Sequence, residues 1–141
     1  MVQLTKDLTR AYELGDINEY PILGGEVIYQ GAAIGLEVAS GYVRSLQAGD
    51  KFVGFAEDSI DASNTSDGEK SIRVKRRGSV TLELSGAAIT DVGKSLYATD
   101  DNTFTLSSAG SSVYIGQISR HQYDSEIIVD FDSITIPPAV V

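Results

Sequence analysis

The side chains that could do chemistry in this chain are few. There is one histidine, His121, and no cysteine among 141 residues. A catalytic triad needs a nucleophile, a base beside it and a third group that orients the base. His121 is followed by Gln122 and Tyr123 at what reads as a turn between two strands, where an exposed histidine has no such company. A zinc site built on one histidine and no thiolate would have only carboxylates for its other ligands. The missing cysteines also exclude a disulfide framework and a thiol nucleophile.

Carboxylates are the one abundant reactive class: Asp58, Asp61, Asp67, Glu69, Asp91, Asp100, Asp101, Asp124, Glu126, Asp130 and Asp132 all lie in the second two thirds of the chain. A pair of them could act as acid and base in glycoside hydrolysis. Such sites sit in aromatic clefts, and this chain has no tryptophan. Most of these acids fall in turns, where Asp caps backbone groups. The run Asp58-Ser59-Ile60-Asp61 lacks the acidic ladder and closing Glu of a calcium loop. The expectation is a protein with no catalytic residue, no metal and no cofactor.

The basic residues are more informative. Lys70, Arg73, Lys75, Arg76 and Arg77 are five of the 11 Lys and Arg residues. Arg73 and Lys75 share a strand face opposite Ile72 and Val74. On a chain of net charge −9 this is an electropositive patch on an acidic body. It could be a solvated outer face, or it could steer the protein toward an acidic surface or another copy of itself. Nucleic acid is not the expected partner, because the net charge opposes phosphate and no aromatics interleave the cluster.

The elements that must carry these residues read as β. Ile34, Leu36 and Val38 alternate with smaller or polar neighbours, turn at Ala39-Ser40-Gly41 and return through Tyr42–Leu46 as a hairpin. Phe52, Val53 and Phe55 form the next strand, and a polar loop follows over 58–69. Ile72 and Val74, then Val80, Leu82 and Leu84, repeat the two-residue period. Ala87–Gly93 can hold one helical turn closed by Gly93. Leu96–Ala98 and Phe104–Leu106 flank the Asp100-Asp101-Asn102 turn, and Val113–Ile118 and Ile127–Phe131 complete the set. The sum is an all-β domain of about eight or nine short strands, spaced as sandwiches and barrels space them.

Two segments stand outside that pattern. Residues 1–24 read as an N-terminal arm carrying Tyr12, Tyr20, Pro21 and Ile22, either a first strand or frayed end, or an extended arm that orders on a partner. Residues 133–141 read as an extended C-terminal tail ending past Pro137-Pro138. The domain itself is placed at 25–132. No apolar h-region opens the chain and no run approaches a membrane span, so the expected setting is synthesis in a host cytoplasm, without a membrane partner.

The order of several short motifs resembles the tailed-bacteriophage capsid cement proteins, or head decoration proteins. Gly25-Glu26-Val27-Ile28-Tyr29-Gln30-Gly31-Ala32 is similar to that family's opening segment. Gly49–Glu57 resembles its F-x-G-x-A strand, and Ile72–Gly78 its V-x-V-x-R-x-G strand. Asp91–Asp101 is similar to its D-V-G-x-x-V-Y-A-x-D segment, and Ile115-Gly116 to a late strand. The resemblance implies a small single-domain β-barrel or β-tulip-like fold. It implies a location on the outer surface of the virion capsid, bound to the major capsid protein as homotrimers, with no enzyme activity. It also implies an arm that adds a strand to a capsid loop. The partner-binding candidates come from the residues themselves and from no family motif: Tyr12, Tyr20, Pro21 and Ile22 of the arm and Arg73, Lys75, Arg76 and Arg77 of the basic strand. The alternative is a receptor- or carbohydrate-binding β module of a phage fibre or tail.

Overall fold

The structure, a computed structural model, describes residues 3, 5–7 and 15–134. Among these the chain forms twelve strands, one 3-10 turn at Ile89–Asp91 and no longer helix. Numbered in chain order, they are β1 (Ile17–Pro21), β2 (Val27–Ile28), β3 (Ala33–Leu36), β4 (Val43–Ser45), β5 (Lys51–Ala56), β6 (Ile60–Asp61), β7 (Ser71–Lys75), β8 (Arg77–Glu83), β9 (Ser95–Ala98), β10 (Phe104–Thr105), β11 (Val113–Tyr123) and β12 (Glu126–Asp132).

The first sheet runs β1-β7-β5-β3-β4 and the second β10-β9-β11-β12-β8, while β2 and β6 make a small pair. Every ladder is antiparallel. The all-β class expected from the sequence is therefore present. Neither five-stranded sheet closes into a barrel. The two edges of the first sheet touch only through an isolated parallel bridge between Ile22, just past β1, and Val43 of β4.

Two apolar cores lie on opposite faces of the first sheet. One is shared with the second sheet and contains Phe52, Phe55, Leu82, Leu96, Ile118, Ile127 and Phe131. Its centre is a trio of edge-on rings, with Phe55 4.9 Å from Phe131 and 5.5 Å from Phe52, a favoured aromatic geometry. The other core, under β2 and β6, contains Ile22, Ile28, Ile34, Val43, Val53, Ile72 and Val74. The strand β5 feeds both. Its register slips between Ile34 and Gly35 of β3, so Val53 is an extra residue directed to the second core while Phe52 and Phe55 serve the first. The Val53 carbonyl accepts the Ser133 hydroxyl at 2.7 Å, which ties the end of β12 to this bulge.

Several expectations change at this level. The polar loop 58–69 contains β6, and Ala62 within it is fully buried, because the Ala62 carbonyl accepts Gly25 N–H and its N–H donates to Glu26 carbonyl. His121 is not in a turn: it lies in β11 opposite Ile127, half-buried, with Nε2 2.8 Å from the Asp124 carbonyl oxygen. The turn follows at Asp124, whose φ of 50° is the left-handed conformation that Asp tolerates. The arm is divided as well. Ile17–Pro21 is an edge strand of the first sheet and Ile22 is a core residue, while Tyr12 lies outside the described residues.

Candidate protein-binding surface

The basic strand does not form one continuous patch. Ile72 and Val74 turn into the second core, so Arg73 and Lys75 share the opposite face of β7. Arg73 is exposed and sits opposite Glu19 of β1, while Lys75 is half-buried opposite Ile17. Arg76 is the single residue by which the chain leaves the first sheet for the second. Its N–H donates to Asp16 carbonyl at 2.7 Å, its carbonyl accepts Ser133 N–H at 2.9 Å, and its Nη1 donates to Gly15 carbonyl at 3.2 Å. Its Nε is buried and has no hydrogen-bond partner among the described residues. Arg76 is thus a joint, and little of its charge is offered outward. Arg77 is exposed but belongs to β8, opposite Asp132. Lys70 donates to the Asp61 carbonyl at 2.7 Å.

The arm candidates meet this strand directly, because β1 pairs with β7 over its whole length, with Tyr20 opposite Ile72 and Pro21 opposite Ser71. Tyr20 packs on the second core, Pro21 is exposed, and Ile22 is 1% exposed and so offers no surface. The hydrogen bonds flanking this ladder, Arg76 N–H to Asp16 carbonyl and Ile22 N–H to Lys70 carbonyl, fall at even positions of the arm. Antiparallel alternation then turns the backbone groups of Ile17, Glu19 and Pro21 outward. Pro21 has no N–H, and the Glu19 N–H is taken at 2.9 Å by the Asn18 side chain. This edge is largely closed to a further strand, and only Ile17 presents a free donor.

Several of the carboxylates singled out by the sequence hold backbone N–H groups, some in their own turns and one across the fold. Asp67 accepts Gly24 N–H at 2.8 Å, Asp61 accepts the Ser63 N–H and hydroxyl, and Asp100 accepts Asn102 N–H at 2.9 Å. Asp91 accepts Ala88 N–H at 2.9 Å and Lys94 Nζ at 3.1 Å. The Ala88 N–H, with Lys94 second, holds the Asp91 carboxyl below its usual value. Among the described residues no three His, Asp or Glu side chains converge as metal ligands. No described helix is long and apolar enough to cross a membrane.

A charged cluster that sequence reading missed lies at the β3–β4 hairpin. Arg44 binds Asp50 with two hydrogen bonds, Nη2 to Oδ1 at 2.8 Å and Nε to Oδ2 at 3.1 Å, and binds Glu37 through Nη1 at 2.7 Å. Asp50 also accepts Gln47 N–H at 3.0 Å, so its buried carboxylate is fully used. A Cβ on Gly35, which faces Arg44 across the ladder, would overlap the Asp50 carboxylate, and this explains a glycine in mid-strand. The sequence signal was weak: three charges spread over a hairpin and the turn after it.

Glu26 feels the charges of this cluster without an ion pair of its own to Arg44. Burial pushes its carboxyl above the usual value, against the pull of Arg44, and Asp50 and Glu37 push the same way. A carboxyl raised by folding destabilises the fold while ionised and ceases to do so once protonated. Replacing Glu26 with Gln is therefore expected to raise the melting temperature at pH 7. The gain should shrink as pH falls through the raised value and vanish below the ordinary glutamate value of about 4.3. Melting curves of both proteins between pH 3.5 and pH 8 check this, and a gain that persists at the acid end would refute the assignment.

The exposed aromatics gather elsewhere. Tyr29 is 69% exposed and Tyr123 66% exposed. Each lines a depression that also includes Gly31 and Asn102, the one at Tyr123 having a volume of about 690 Å³. The arrangement as a whole can bind through charge, backbone edges and ring faces. In comparisons with known proteins, no family model, no curated protein and no solved structure matches this chain.

Proposed function

We propose that the protein is a structural component of a phage virion, a cement protein that binds the outside of the assembled capsid as homotrimers and reinforces contacts between major capsid protein subunits. The observation that carries the reading is the β1–β7 ladder. It makes the arm and the basic strand neighbours, with Ile17 opposite Lys75 and Glu19 opposite Arg73. The chain before Asp16 thus joins the body beside half-buried Lys75, with exposed Arg73 two residues further along the same strand. The segments that resemble the cement family lie on β2, β5, β7 and the start of β8, the 3-10 turn with β9, and β11. Several of these elements contribute residues to the two cores.

The test is binding of the purified protein to expanded heads that lack it, with their disruption temperature as a second readout. Deleting residues 1–14 leaves β1 and Ile22 in place and is expected to weaken binding while the body still melts cooperatively. Replacing Arg73 and Lys75 with Ser is expected to weaken binding about tenfold at low salt and much less at high salt, because exposed charge pairs are screened. A loss equal at both salts would mean misfolding. No binding of the intact protein to any head of its own phage sinks the proposal.

A second reading, a carbohydrate-binding module, is favoured by one observation: exposed Tyr29 and Tyr123 flank depressions that include Asn102, with Asp101 in one and Asp124 in the other. Rings beside amide and carboxylate groups suit sugars. A glycan array separates the two readings, since a cement protein gives no selective signal there.

A further inference from the structure

The edge strands of this fold are treated unequally. On β1, Pro21 lacks a donor and Asn18 occupies the Glu19 N–H. The edge strand β4 has three residues and accepts Leu23 N–H at Val43, and β10 has only two. The fourth edge, β8, is seven residues long, and its ladder with β12 runs unbroken from Arg77 opposite Asp132 to Glu83 opposite Glu126. It contains no proline, no bulge and no lysine, devices by which proteins blunt an edge, and its charges, Arg77 and Glu83, stand only at its two ends.

The outward groups of β8 can be assigned. Leu84 N–H donates to Ser125 carbonyl at 2.8 Å, and Ser133 N–H donates to Arg76 carbonyl at 2.9 Å. Both pairs continue the β8–β12 register and both fall at even positions of β8. By antiparallel alternation, the even residues bond to β12, and the N–H and carbonyl groups of Arg77, Ser79, Thr81 and Glu83 point away from the sheet. Among the described residues no backbone partner meets them.

The strand Arg77-Gly78-Ser79-Val80-Thr81-Leu82-Glu83 is complementary to itself when reversed. Laid antiparallel about Val80, Arg77 faces Glu83 of the second strand and Ser79 faces Thr81, twice over. These are the outward-pointing residues, so the hydrogen-bonding parity and the charge match call for the same register. Opposite charges are favourable across a ladder, and Ser79, whose hydroxyl donates to Asp130 at 2.7 Å, can still accept from the Thr81 hydroxyl. On the core side Val80, which is only half-buried, would meet its own copy. The groove at Tyr123 opens along Val80–Glu83, and the residues brought to it are the small Gly78 and Val80.

We infer that β8 is a homotypic interface: two copies of this chain join β8 to β8 across a two-fold axis, merging their second sheets into one. This contact is independent of capsid binding and distinct from a three-fold grouping, so it is testable in solution whether or not the capsid reading holds.

The experiment uses the full chain. Sedimentation velocity over a concentration series to about 1 mM is expected to show reversible association toward twice the 15.0 kDa chain mass. Arg77→Glu and Glu83→Arg each place like charges opposite one another at both ends and are expected to weaken dimerisation about tenfold or more. The double variant Arg77→Glu/Glu83→Arg restores both pairs and should recover wild-type association within about threefold. Because the chain has no cysteine, Val80→Cys supplies one thiol. In a non-hydrogen-bonded pair about 4.5 Å separates the Cα atoms, within disulfide reach. Val80→Cys should therefore cross-link under mild oxidation. Glu83→Cys should not, its copy lying about 20 Å away along the strands. A protein that stays monomeric throughout, a trimer that leaves Val80→Cys uncrosslinked, or a double variant as weak as the singles overturns the inference.

Discussion

Replacing Gly54 with alanine is expected to lower the melting temperature by about 10 °C or more, or to abolish cooperative unfolding. Gly54 has a φ of +140°, which side-chain-bearing residues rarely adopt, at a cost of about 1–3 kcal/mol. The steric term is added to that. A Cβ there would overlap the Lys75 carbonyl oxygen and lie 2.7 Å from Val74 Cγ1. Neither neighbour can yield easily, since both belong to β7, the strand paired with β5, and Val74 is fully buried. The bulge at Val53 is what brings the two backbones so close, and it is the device that lets one strand fill two cores. A total above about 4 kcal/mol corresponds to that shift for a domain of this size. Gly78 is the control. Its φ of +141° is almost the same, but the nearest atom is the flexible Lys75 Cε at 3.4 Å. Gly78→Ala should carry the backbone cost without the clash and lose markedly less. Thermal melts of both variants decide the matter: a Gly54→Ala protein that melts within about 2 °C of wild type would contradict the bulge geometry.

The second large effect is expected at Asp50. Its side chain is 2% exposed and is the two-point partner of Arg44, which is 18% exposed. Removing one member of a buried pair costs about 3–5 kcal/mol, because the other charge stays buried and unpaired. Arg44 keeps Glu37, so Asp50→Ala is expected at about 3 kcal/mol. Part of that loss comes from Gln47 N–H, which loses its acceptor. Glu37, 28% exposed, is the weaker partner, and Glu37→Ala should cost about 1 kcal/mol or less. Urea unfolding of Asp50→Ala, Arg44→Ala and the double variant measures the coupling. A coupling near zero would mean that the cluster is only solvated charge, despite its geometry.

The parts of this structure that were legible in the sequence are those with a local cause. The two-residue period of Ile72 and Val74, and of Val80, Leu82 and Leu84, belongs to the strand itself. So does the hairpin around Gly41, where Glu37 N–H and Gly41 N–H close the turn. Asp100 and Asn102 make their own turn. The strand β5 was found but its role was not, because Phe52, Val53, Phe55 and Ala56 do not alternate. Only a bulge between two cores makes sense of that run. Ile17–Pro21 looked like an arm because Asn18, Glu19 and Pro21 are poor strand formers. Their pairing comes from β7, fifty or more positions away in the chain.

The candidate surface divides in the same way. That Arg73 and Lys75 share a face follows from the pleat and was determined by sequence alone. That Arg76 is a joint between sheets and Ile22 a core residue was decided by tertiary structure, since both depend on what lies across from them. The expectation of no organised catalytic set rests on an inventory, one histidine and no cysteine, and is a reading of composition alone. The Glu37, Arg44 and Asp50 cluster required the folded structure, because hairpin pairing and the room left at Gly35 bring those charges together. The reversed complementarity of β8 was always present in its seven residues. Whether that strand is an edge is set by the order of the second sheet, a long-range property of the folded chain that no local pattern of side chains contains.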